Sequence, residues 1–329
     1  MSTPNLTGRA ELIDLGLCEG GESWAHAINA RGEVVGGAFN ADGREHAFLY
    51  RDGEAHDLGT LGGNVSYAFA INDAGRVVGE SRYADFDSVR GFLWHDGEMQ
   101  SLGALGGLES SAHAISERGH IVGHANNADR IWRAFLWTNQ SMRDIGALPD
   151  RPNDPHYATG VNSQGVVVGE VTFGVADRRP FIFRRGELKD LNLLTALDAD
   201  STLTSARAIN DAGVIAGAGH IEGKTHAVLL EPQGASFKLR DLGTLGGSRG
   251  ACLGISPGGL AVGYSDNAQS ATHAFALLDG EMIDLNSLID PASGWELVRA
   301  DDANDEGWIV GHAFRQGVRR AFLLKIDRR

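Results

Sequence analysis

The chain has 329 residues, with 45 glycines but only 8 prolines, 4 methionines and 2 cysteines, and a formal charge of −14 at pH 7. At this length one large all-β domain is as permissible as two smaller ones, and glycine-rich, proline-poor composition fits many tight turns between short strands. The negative surface argues against nucleic acid and anionic membranes as partners, and no apolar run approaches the roughly 18 residues that span a bilayer.

The first ten residues contain no apolar core segment and do not read as a secretory signal. Cys18 and Cys252 match no metal-ligand or redox spacing; both are expected as reduced thiols in a cytoplasmic protein. The first strand-like run is Glu11-Leu-Ile-Asp-Leu-Gly16. Seven copies of one pattern follow, at residues 23–36, 66–79, 110–123, 156–169, 204–217, 250–263 and 298–311. Their closing glycines, from Gly36 to Gly311, are spaced by 43, 44, 46, 48, 46 and 48 residues.

Each copy reads as four short strands. Strand A is the "SxAxAIN" run, as in Ser66-Tyr-Ala-Phe-Ala-Ile-Asn72. A glycine turn leads to strand B, the "VVG" run. Strand C follows, as in Ala47-Phe-Leu-Tyr50 or Gly91-Phe-Leu-Trp94, and strand D ends in "DLG", as in Asp57-Leu-Gly59. Four strands in 43–48 residues match a propeller blade, with an open β-solenoid as the rival. The chain ends favour closure: residues 11–16 form a strand D with nothing before it, and residues 321–326 form a strand C with no D after it. The expected fold is therefore all-β, a single seven-bladed β-propeller over residues 1–329, with four antiparallel strands per blade and the N-terminal strand completing the last blade. The small residues of strand A, such as Ala25 and Ala27, place it innermost.

These residues resemble the HAF-repeat family, named for the strand-C tripeptide seen at His46-Ala-Phe48 and His273-Ala-Phe275. Ala70-Ile-Asn-Asp-Ala-Gly75, Val77-Val-Gly-Glu-Ser81 and Asp57-Leu-Gly-Thr-Leu-Gly-Gly63 look like its consensus, as do Asp284-Leu-Asn286, Gly294-Trp295 and Arg320-Ala-Phe-Leu-Leu324. The resemblance covers nearly the whole chain. It implies a repeated β-architecture and little about activity.

Residues present in every repeat are expected to be scaffold; those that break the pattern at one mouth are site candidates. Strand C always opens with a base (His46, Arg90, Arg133, Arg179, His226, His273, Arg320), and strand D usually offers Asp57, Asp144, Asp190, Asp241, Asp284 or Asp14. A cross-strand charge pair is the expected role. Glu80, Glu170, His124 and His312 follow the strand-B glycine. They could be imagined as metal ligands only by converging across the channel, and no metal or cofactor is expected. Two positions of strand A face the mouth where the D–A and B–C loops gather. The first holds Trp24, Tyr67, Ser111, Tyr157, Ser205, Ala251 and Arg299; the second holds His26, Phe69, His113, Thr159, Arg207, Leu253 and Asp301. A two-residue period puts both on one face, and Phe69 and Leu253 are expected as core. Altered loops at 148–155, 193–203 and 288–296, and variable ones at 82–89 and 172–177, lie at the same mouth.

The expected function is binding of a small molecule, glycan or peptide through Trp24, Tyr67, Tyr157 and Arg299. The alternative is an enzyme of lyase, hydrolase or cyclase type. There His26 or His113 would act as acid or base, with Asp301 or Arg207 orienting it or stabilising charge. No nucleophile elbow, His-Glu-x-x-His or phosphate loop occurs.

Overall fold

The structure is a computed structural model that describes residues 10–15, 21–84, 88–173 and 177–326. Cys18, Gly16 and parts of the 82–89 and 172–177 loops lie outside the described residues. The described residues form 28 strands and three short 3-10 turns.

Each repeat is an antiparallel meander taken in chain order. In the first, Ser23–Ile28, Val34–Phe39, Glu45–Arg51 and Glu54–Asp57 pair successively as strands A to D. The strands assemble into five four-stranded sheets and one eight-stranded sheet. The larger sheet is two such meanders, from the fifth and sixth repeats, joined by a single parallel bridge between Thr225 and Arg249. The last sheet takes its fourth strand from the other end of the chain: Ala10–Asp14 runs antiparallel to Val318–Ile326, with Ala10 opposite Ile326 and Asp14 opposite Phe322. The C–D hairpins turn on pairs such as Asp52-Gly53, with φ of 53° and 84°, the left-handed pair a tight two-residue hairpin requires.

The sheets pack face to face, and an apolar cluster fills the space between each repeat and the next. Phe92 of the second repeat, for example, packs with Ala47 and Leu49 of the first. A further cluster joins the last repeat to the first, with Val310, Ala321 and Leu323 against Ala25, Ile28 and Phe48. Buried phenylalanines of strand C recur at these seams, each contributing about 1.5–3 kcal/mol through removal from water.

Polar ties between neighbouring strands A explain the "AIN" motif. Asn29 donates to the Asn72 carbonyl (3.2 Å), Asn72 to Ser116 (3.1 Å), Asn162 to Asn210 (3.3 Å), Asn210 to Ser256 (3.4 Å) and Asn304 to Asn29 (2.9 Å). The following acidic residue adds a second tie, as where Ala30 N–H donates to Asp73 (2.8 Å) and Ser163 N–H to Asp211 (2.7 Å). Ser256 and the Gly258 N–H both reach Asp305. The seam between the third and fourth repeats differs. Ser116 stands there in place of asparagine and Ser163 in place of the acid, and among the described residues neither tie is made.

At the seam between the last and first repeats the Ile28 N–H donates to Asp302 (3.1 Å). Desolvation pushes this carboxyl up to about 7, against the backbone donors of Ile28 and Ala303 that favour its charged form. Between about pH 4 and pH 7 the folded chain keeps a proton that the unfolded chain has lost, so stability falls as pH rises through that window. Asp302→Asn should therefore raise the melting temperature by several degrees at pH 8 and lose that advantage at pH 4.5. Equal shifts at the two pH values would refute the assignment.

Candidate functional site

Strand A is bulged at the same point in every repeat. Ala25 faces Gly36 and Ala27 faces Val35, so His26 has no residue opposite. The same skip leaves Phe69, His113, Thr159, Arg207, Leu253 and Asp301 unpaired. A bulge re-aims a side chain without breaking the sheet, and here it does so at the whole second mouth position. The first mouth position pairs with the residue after the strand-B glycine: Trp24 with Gly37, Tyr67 with Glu80, Ser111 with His124, Tyr157 with Glu170, Arg299 with His312. A β-carbon on Gly37 would meet the Trp24 indole nitrogen at 2.7 Å, so the second glycine of the first repeat makes room for that ring.

One side of the mouth is an aromatic arc. Trp24 lies 6.1 Å from Tyr67, Tyr67 6.4 Å from Phe69, and Phe69 stacks on His113 at 5.1 Å with planes 2° apart. His26 joins Phe69 at 5.4 Å. His113 contacts His124 at 5.0 Å, and His124 meets Tyr157 edge-on at 4.8 Å. Phe69 is thus half-buried in the wall of the mouth rather than in the core, because the bulge turns it away from the sheet interface.

The opposite side is charged and divides into two groups. In the seventh repeat Arg299 pairs with Asp301 at 2.7 Å, with His312 3.7 Å from the same carboxylate. Asp301 is the main charge favouring protonation of the adjacent His26, yet burial outweighs it and lowers that imidazole's pKa. In the fourth and fifth repeats Glu170 pairs with Arg178 at 2.8 Å and lies 4.0 Å from Arg207. Burial, aided by the Arg207 charge, lowers His113 to about 4, and burial lowers His124 to about 3. Of the alternatives expected for catalysis, the structure sets Asp301 beside His26 and Arg207 beside His113.

A cavity of about 430 Å³ opens between the third, fourth and fifth repeats, lined by His113, His124, Tyr157, Thr159, Glu170, Arg178 and Arg207. Trp24 is not among its walls. Tyr67 lines a separate depression of about 240 Å³ with Glu45, Glu80 and Arg82, where its hydroxyl donates to Glu45 and its pKa is raised by burial and that contact. Glu170, His124 and Arg178 were not singled out as ligand-binding or catalytic residues by sequence reasoning. The signal was there for two of them: the position after the strand-B glycine varies as much as the mouth positions it faces. Among the described residues no three His, Cys, Asp or Glu side chains cluster so as to hold a metal ion.

The basic residue opening strand C pairs with the strand-D acid within its sheet: His46 with Asp57 (2.7 Å), Arg133 with Asp144 (3.9 Å), Arg179 with Asp190 (3.3 Å), His226 with Asp241 (2.9 Å) and His273 with Asp284 (2.6 Å). Asp14 bonds Arg315 at 2.9 Å. The "HAF" tripeptide is thereby accounted for physically in the first repeat. Its histidine ties C to D, the Ala47 N–H donates to Ser66 of the next repeat (2.9 Å), and its phenylalanine fills a seam.

No family model and no curated protein matches the chain. Solved structures do. An oligogalacturonate lyase from Vibrio parahaemolyticus superposes with a TM-score of 0.59 at 10% identity, covering 98% of this chain and 97% of its own. A prolyl endopeptidase gives 0.55 at 12% identity over 93% of this chain, and a puromycin-hydrolysing peptidase of Mycobacterium tuberculosis 0.53 at 11% identity over 94%. This chain spans about half the length of each peptidase. The chain has a β-propeller-type fold. At these identities the likeness carries the fold and not the chemistry.

Proposed function

We propose that the repeats close into a seven-bladed ring of HAF-repeat type and that its mouth binds a small polar molecule. Closure is supported by the pairing of Ala10–Asp14 with Val318–Ile326 and by the apolar cluster between the last and first repeats. It is also supported by a depression at the far end of the strands A, to which all seven repeats contribute, from Ile28 and Ile71 round to Ala303.

The observation that carries the binding reading is the aromatic arc ending in a cavity whose polar atoms lack partners. In that cavity Glu170 Oε2 and His124 Nδ1 are buried without a hydrogen bond, and in the seventh-repeat group elsewhere on the mouth so are Arg299 Nε and Asp301 Oδ2. Each such group costs about 1–3 kcal/mol until something satisfies it. A ligand with polar groups along one edge and a flat apolar face meets both halves of the mouth. Thermal-shift screening of a metabolite, glycan and peptide library is the test. A ligand so found should bind Trp24→Ala about tenfold or more weakly and evoke little of its fluorescence change. Titrations indistinguishable from those of the parent would remove Trp24 from the site.

One observation favours the enzyme as second reading. His26 Nδ1 lies 2.9 Å from the Ala68 carbonyl, which can only accept, so Nδ1 carries the proton and Nε2 keeps a free lone pair. A neutral imidazole beside Asp301 can take a proton at neutral pH. Under this reading His26→Ala abolishes turnover of a substrate found by the same screen, while Asp301→Asn slows it.

A further inference from the structure

We propose that the cavity between the third, fourth and fifth repeats takes a polyhydroxylated ligand, a sugar or sugar-like polyol, one hydroxyl of which bridges Glu170 and Arg207. This rests on the mouth-binding reading above and narrows it to a ligand class.

Glu170 is 6% exposed. Its Oε1 accepts from Arg178 at 2.8 Å, while Oε2 accepts from nothing and lies 4.0 Å from the nearest nitrogen of Arg207, beyond hydrogen-bond reach. A group filling that gap must accept from a guanidinium and donate to a carboxylate. A hydroxyl does both. A carboxylate or phosphate can only accept and meets the charge of Glu170. An ammonium can only donate and meets two guanidinium groups. Arg207 is about a third exposed and, among the described residues, makes no hydrogen bond. Rotation of its long side chain opens the gap to an incoming oxygen without breaking a hydrogen bond.

The rest of the cavity suits the same class. His124 Nδ1 also has no partner, and burial keeps this ring neutral at ordinary pH, so it offers a second polar contact without charge. The His113, His124 and Tyr157 rings supply apolar surface for the C–H face of a pyranose. The volume, about 430 Å³, lies within the ~300–1,000 Å³ of small-molecule sites.

The full-length chain would be titrated by calorimetry and ligand-observed NMR with glucose, galactose, mannose and their short oligomers, with glucuronate and galacturonate, and with inorganic phosphate. At least one neutral sugar should bind. Glu170→Gln should weaken it about tenfold or more, and Arg207→Met should also weaken it. Lys189→Ala, on an outer strand, should leave binding unchanged. Far-ultraviolet melts of each variant separate lost contacts from lost fold, and Arg207→Met removes a group that is about a third exposed while keeping most of its apolar stem. Binding of uronate or phosphate alone, strengthened by Glu170→Gln, would overturn the proposal in favour of an anion site. Failure of every sugar, with Trp24-dependent binding of another molecule, would overturn it and leave the mouth reading standing. No ligand of any class, dependent on Trp24 or on Glu170, would sink both.

Discussion

Gly123→Ala should destabilise the fold by about 3 kcal/mol or more, lowering its melting temperature by many degrees or preventing folding. A β-carbon at Gly123 would lie 1.9 Å from the Ser111 carbonyl oxygen and 2.9 Å from the Ala112 α-carbon. Both are backbone atoms held by the A–B ladder, so neither can yield. The same approach, 1.9–2.1 Å, occurs at Gly36, Gly79, Gly169, Gly217, Gly263 and Gly311. Its cause is the bulge, beside which the carbonyl preceding the bulge presses against strand B. Glycine in the "VVG" run is thus the counterpart of the unpaired mouth residue across from it. Gly53 makes the contrast: its φ is 84° and nothing lies within 4 Å of a β-carbon there, so Gly53→Ala should cost only about 1–2 kcal/mol for the left-handed backbone. Chemical denaturation of the two variants decides the matter. Equal losses would mean the close approach is not what demands glycine.

Deleting residues 1–15 should cost about 5 kcal/mol and leave a chain that aggregates. The deletion removes Leu15, which is buried, and Leu12 and Ile13, which pack on the neighbouring clusters. At about 1.5–3 kcal/mol for a fully buried side chain and less for the others, the loss rivals the 5–15 kcal/mol stability of a whole domain. It also uncovers the edge of Val318–Ile326, a nine-residue strand with the apolar run Ala321-Phe-Leu-Leu324, as a template for another chain's strand. Sedimentation and thermal melts are the measurements. A truncated protein that keeps the parent's sedimentation behaviour and melts like it would refute closure through this strand.

Much of the fold was legible because a repeat reports itself: the glycine spacing defined the unit, and the basic residue of strand C matched an acid in strand D. The bulge was not legible, since a two-residue period seats His26 and Trp24 on one face whether or not an extra residue intervenes. Phe69 was consequently placed in the core. The site was legible in part. Trp24, Tyr67, Tyr157, His26 and His113 do lie along one mouth, but which of them share a cavity depends on neighbours from other repeats. Glu170 and Arg207 are 37 positions apart in sequence, and each alone looks like an ordinary surface charge. Glu170 was grouped with Glu80, which occupies its place in the second repeat. Only the flanking Arg178 and the histidines across the seam separate the two.

The missing ties between the third and fourth repeats have a consequence for how the molecule breathes. Thermal motion in a set of linked plates collects at the joint with fewest fasteners, and this joint runs beneath His124 and Tyr157. Between these two strands A there is no amide–carbonyl link to unzip, and the polar contacts that remain, Arg133 to the Pro152 carbonyl and Arg143 over the Phe183 ring, lie on the outer strands and the connecting loop. The cavity floor can therefore widen for an arriving guest while the remaining joints keep their spacing, much as a bridge deck accommodates heat at a single gap.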